Sequence, residues 1–76
     1  MSFGKKLANY RSRAGLTQEA LARRANIHTH HVSDMERGKR KPLAETLARI
    51  RDALNLSLEE TVDLLEETKQ PAEVGR

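Results

Sequence analysis

The chain has no cysteine and no tryptophan, and only one phenylalanine and one tyrosine. Without cysteine, neither a disulfide nor a thiolate zinc site can hold a small fold together. With 76 residues and 37 % hydrophobic content, the core has to come from close-packed Leu, Ala, Ile and Val on helices, from self-association, or from both. No apolar run approaches the roughly 20 residues that a membrane span requires. The opening stretch MSFGKKLANYRSRAG has neither the apolar segment nor the cleavage site of a secretory signal, so the expected location is the cytoplasm, in association with the nucleoid. There is no glycine-rich phosphate loop, no nucleophile beside a placed base, and too little chain to enclose a substrate. An enzyme is therefore not expected.

Charge is unevenly distributed. Residues 1–56 carry 12 Lys and Arg against 5 Asp and Glu, whereas residues 57–76 carry 2 against 6. A basic body with an acidic end suits a polyanionic partner for the body. RNA is disfavoured because only Phe3 and Tyr10 could stack on bases.

No stretch alternates as a strand would, and the punctuation is helical throughout. The first helix is expected from about Phe3 to Ala14, with Gly15 as its left-handed cap. Thr17 is a good N-cap for a second helix beginning QEALARR, whose Leu21, Ala22 and Ala25 form an apolar stripe. Asn26, the non-glycine residue most at ease with positive φ, marks a break. A third helix is expected over about Thr29 to Arg37, ended by Gly38, and a fourth over AETLARIRDAL with Asn55 as cap. Ser57 and Glu60 form a capping box for a fifth, LEETVDLLEETK. Residues 1–69 are expected to form one domain and residues 70–76 a disordered tail.

The second and third helices carry the functional signal. Leu21, Ala22, Ala25, Asn26, Ile27, Val32 and Met35 stand 3, 4, 7, 8, 9, 14 and 17 positions after Gln18. That is the spacing of a helix-turn-helix. A small residue, Ala22, permits the steep crossing, Asn26 supplies the left-handed turn, and Ile27, Val32 and Met35 pin one face of the third helix while freeing the other.

With Arg11, the segment GLTQEALA, the segment MERGKRKP and the joint ALNLS, the chain resembles the phage-repressor and Cro-like family, the xenobiotic-response-element type. The likeness covers about three quarters of the chain. It implies an all-α, compact five-helix domain that binds double-stranded DNA as a homodimer on a palindromic operator, as a repressor or autoregulator. Carried over by position, Thr17 and Gln18 would meet a phosphate, Thr29, His30 and Asp34 would face base edges, and His31 and Ser33 would flank that face. Arg37, Lys39, Arg40 and Lys41 would grip phosphates, and Arg11 and Glu36 would form a structural ion pair. The chain departs from the family at His28 and Leu43, where capping residues are usual, and Asp34 is unusual on a DNA-facing surface.

His28 and His31 at i, i+3, and His30 and Asp34 at i, i+4, are acceptable metal-ligand spacings, but the two pairs point in different directions. No metal and no cofactor is expected. On the fifth helix Leu58, Val62 and Leu65 recur at i, i+4, i+7 with Leu64 nearby. The stripe serves either the domain's own core or a dimer interface, and the latter expects Leu64 and part of the stripe to stay outside. Two alternative functions stay open, an antitoxin that also holds a toxin and an adaptor that binds another protein through the same fold.

Overall fold

A computed structural model describes residues 2–68. Its helices are α1 (Phe3–Arg13), α2 (Gln18–Ala25), α3 (Thr29–Glu36), α4 (Ala44–Leu54) and α5 (Leu58–Thr68). The expected tail, 70–76, lies outside the described residues.

The boundaries follow local chemistry. The Ser2 hydroxyl accepts from the Lys5 backbone N–H at the start of α1, and the Thr17 hydroxyl accepts from Ala20 at the start of α2. At α5 the reciprocal box closes, with the Glu60 N–H donating to Ser57 Oγ (3.1 Å) and the Ser57 N–H donating to Glu60 Oε1 (2.9 Å). α1 and α3 each stop one residue earlier than expected, because Ala14 and Arg37 act as C-caps ahead of the left-handed Gly15 and Gly38. Asn26 (φ 59°) and Asn55 (φ 54°) turn the chain after α2 and α4.

α2 packs on α3 and α4, while α1 packs on α3 and α5. The core joins Phe3 and Leu7 of α1, Leu21 and Ala22 of α2, Val32 and Met35 of α3, Leu47, Ile50 and Leu54 of α4, and Leu64 of α5. α1 can lie close to α3 because residue 4 is glycine. A Cβ there would stand 2.5 Å from the Glu36 carbonyl oxygen and 2.7 Å from that of Met35.

One expectation for α5 is corrected. Leu64, expected to remain outside for a second copy, is completely buried, whereas Leu58 and Val62 are 81 % and 44 % exposed. The reason is the way α1 seizes α5. Lys6 pairs with Asp63 and Glu67, Arg13 with Glu60, and the Tyr10 hydroxyl donates to Asp63 Oδ2 at 2.8 Å. Residues 60, 63, 64 and 67 share one helical stripe. Docking that stripe on α1 puts Leu64 at its centre and turns Leu58 and Val62 away.

Candidate nucleic-acid interface

Glu36, at the end of α3, gathers side chains from two other helices. Arg11 of α1 donates from Nε to Glu36 Oε2 at 2.6 Å and from Nη2 to Oε1 at 3.0 Å, and from Nη1 to the Leu16 carbonyl at 2.8 Å. Gln18, the first residue of α2, donates from Nε2 to Glu36 Oε1 at 2.9 Å. The Glu36 side chain is only 8 % exposed and that of Arg11 17 %. The hydrogen-bonded carboxylate raises Arg11 further above its already high ordinary value, against the lowering effect of burial. One carboxylate thereby fixes α3 against both α1 and α2.

With Val32 and Met35 fully buried, the 100° turn per residue directs His30, Ser33 and Asp34 to the opposite side of α3, and Thr29 and His31 to its flanks. Thr29 and His30 are exposed, and His31, Ser33 and Asp34 are half-buried. The exposed Arg37, Lys39, Arg40 and Lys41 follow directly. Thr17, also exposed, spends its hydroxyl as the α2 cap, and Gln18 spends an amide N–H on Glu36. The residues expected at the interface therefore fall on α3, the loop after it and the start of α2.

Ion pairing sharpens this picture. Among the described residues Lys6, Arg11, Arg13, Arg49 and Arg51 each pair with a carboxylate. Lys5, Arg23, Arg24, Arg37, Lys39, Arg40 and Lys41 do not, and all of these are exposed. The unneutralised charge is densest in the loop after α3.

Two groups of contacts escaped the sequence reading. The α1–α5 pairs span about fifty positions and have no local signature. Their effect is visible on the acids, since Lys6 and Tyr10 lower Asp63 by hydrogen bonding, and the Ser57 backbone N–H, followed by Arg13, lowers Glu60. Arg49 of α4 pairs with Glu45 at 3.0 Å and donates to the Asn26 carbonyl at 3.3 Å, bracing the turn of the helix-turn-helix. A cleft of about 220 Å³ beside α1 is lined by Lys6, Asn9, Tyr10, Arg13 and Asp63, away from the outer face of α3. Among the described residues no group of three or more His, Cys, Asp and Glu could hold a metal ion, and no helix is long and apolar enough to cross a membrane.

A family model described as a helix-turn-helix domain matches residues 2–65. The chain belongs to the helix-turn-helix family, of the Cro/C1-like type. It is 39 % identical over 57 residues to the HTH-type transcriptional regulator ImmR of Bacillus subtilis, a match that covers 75 % of this chain and 45 % of ImmR. It is 32 % identical over 62 residues to the control protein C.BamHI of Bacillus amyloliquefaciens, covering 80 % of this chain and 76 % of that one. Among solved structures, the restriction-modification controller protein C.AhdI of Aeromonas hydrophila superposes with a TM-score of 0.73 at 30 % identity, covering 78 % of this chain and 89 % of C.AhdI. The chain thus spans less than half of ImmR but most of the two controller proteins. The family is one of transcription regulators and not of enzymes.

Proposed function

We propose that this protein is a sequence-specific regulator of transcription that reads double-stranded DNA with α3 and acts as a homodimer on a palindromic operator. The observation that carries this reading is the asymmetry of α3. One face is sealed by Val32 and Met35, the other offers His30, Ser33 and Asp34 with Thr29 on its flank, and the loop that follows bears four cations with no described carboxylate partner. Such a face suits base edges in the major groove, with the loop on the flanking phosphates. Arg37, Lys39, Arg40 and Lys41 supply affinity, while Asp34 supplies selectivity. Asp34 accepts from cytosine N4 or adenine N6 and repels sequences that present only acceptors there.

Self-association rests on Leu58 and Val62, which are exposed at i, i+4 on α5 with the half-buried Leu65 beside them. A two-fold pair of such faces places two copies of α3 on half-sites one helical turn apart. Occupancy of such an operator would act by repression or autoregulation.

Selection of bound duplexes from a random pool at about 150 mM salt tests the reading at near-physiological screening. A palindrome with half-sites about 10 base pairs apart is the expected product. Enrichment of a single half-site would remove the dimer, and no enrichment at all would remove the DNA reading.

A further inference from the structure

Three histidines, His28, His30 and His31, occupy the N-cap and first turn of α3, at the opposite end of the helix from the cationic loop. His28 and His30 are exposed and His31 is half-buried. His28 stands at the N-cap position, yet its side chain makes no capping hydrogen bond. No side chain among the described residues bonds or pairs with any of the three imidazoles.

The charged groups around this turn come from several elements. On α3 the nearest acid is Asp34, one turn beyond His30, and it forms no ion pair with it. Glu36 is already occupied by Arg11 of α1 and Gln18 of α2. α2 contributes Arg23 and Arg24 in its last turn, whereas its Glu19 lies in the first turn, at the end of the helix that meets Glu36. α4 contributes Arg49, paired with Glu45 and bonded to the Asn26 carbonyl two residues before His28. A protonated imidazole here has no carboxylate waiting for it. The phosphates of a docked duplex are the anions that would stabilise one.

Resting on the reading of α3 as the DNA-facing helix, we infer that the histidine turn is a proton-dependent phosphate contact, in which duplex binding is coupled to proton uptake at His28, His30 and His31. An apposed phosphate favours the charged imidazole, so the added affinity is expected on the acid side of the ordinary histidine range, about pH 6 to 7, and is lost on its alkaline side. The four cations of the loop contribute at every pH in this window, whereas the histidine turn adds phosphate contacts only on its acid side.

The test is fluorescence anisotropy with a random-sequence duplex, read between about pH 6 and pH 8 and between about 50 and 200 mM salt. The slope of log K against log salt is expected to steepen by about 1 to 3 on going to the acid end, at roughly 0.9 per phosphate newly neutralised. The triple variant His28→Gln, His30→Gln, His31→Gln, with its fold checked by circular dichroism, is expected to keep the shallower slope at both ends. Lys41→Gln is expected to lower the slope by about 1 at both. Equal slopes and affinities at the two pH values, or a triple variant that still responds, would overturn the inference. So would a response confined to a selected operator, which would make these residues base readers instead. Failure to bind any duplex at either pH would remove the DNA reading and this inference with it.

Discussion

The ends of α3 differ from the ends of the other helices. α1, α2 and α4 close with the same double bond. The first residue past the left-handed position donates back across the last turn, as Leu16 to Arg11, Ile27 to Ala22 and Leu56 to Arg51, at 2.9–3.1 Å. All three of those residues are hydrophobic and pack on the core, which is the usual companion of this motif. α3 closes in the same way, with Lys39 donating to Asp34 at 2.8 Å, but Lys39 is an exposed cation. The N-termini divide similarly. Ser2, Thr17 and Ser57 cap α1, α2 and α5, whereas His28 and Leu43, at the starts of α3 and α4, provide no side-chain cap. Local stabilising rules are obeyed in the frame and set aside around α3 and the loop after it. Such departures are expected where side chains are committed to a ligand.

If α3 lacks support at its own ends, its position depends on Glu36. Glu36→Ala is expected to cost about 3 kcal/mol or more by leaving the largely enclosed Arg11 without its carboxylate, a large part of the roughly 5–15 kcal/mol that holds a domain together. A thermal melt followed by circular dichroism should show the transition largely lost. A variant that melted like the parent would mean that α3 is seated by Val32 and Met35 alone.

Leucines of α5 separate frame from interface at the next level. Leu64→Ala should cost about 2–5 kcal/mol, as large-to-small changes in a closed core do. Leu58→Asp should leave monomer stability within about 0.5 kcal/mol while shifting sedimentation toward monomer. Equal losses of stability in the two variants would break the distinction between the two faces.

Caps allow the comparison to be reversed. Thr17→Ala removes a working cap, and His28→Ser supplies a missing one, so stability should fall by about 1 kcal/mol in the first and rise by a similar amount in the second. Lys39→Leu places a hydrophobic residue where the other helices have one. It should leave the melting temperature equal or higher and weaken duplex binding, and undiminished binding would dissociate the loop from phosphate contact.

The smallest effect belongs to the α1–α5 pairs. Asp63 and Glu60 are held below the ordinary carboxylate range, so their contribution is present above that range and is lost as pH falls through the depressed folded values. Lys6 is raised, chiefly by its hydrogen bond to Asp63, so its share is complete below the ordinary lysine range and is lost above it. These groups lie at the surface, where water and salt screen them. Asp63→Asn should therefore give a far smaller drop in melting temperature than Glu36→Ala, and one that shrinks in high salt.

Much of this molecule was legible in the chain because much of it is local. A hydroxyl three residues before an amide, an asparagine with positive φ, and a small residue at a helix crossing each act within a few positions. The offsets from Gln18 to Met35 accordingly translate into five buried side chains, Leu21, Ala22, Ala25, Val32 and Met35, around the turn at Asn26. The pairing of Arg11 with Glu36 is 25 positions long, and its suggestion came from a family resemblance and not from any local pattern. The involvement of Gln18 in the same carboxylate, and the brace from Arg49 to Asn26, had no signal at all.

α5 shows where the division falls. Its sequence carries two overlapping apolar stripes, and 3.6-residue periodicity describes both equally well. Which one is buried depends on the partner surface, because α1 presents Lys6, Tyr10 and Arg13 around the place where Leu64 enters. The chain by itself determined the five described helices, their ends to within a residue and the helix-turn-helix, since each is set by interactions spanning one or two turns. Only the tertiary structure decided which leucine fills the core, which cations are neutralised and which are left for a ligand. Those outcomes depend on distances between residues that the sequence keeps far apart.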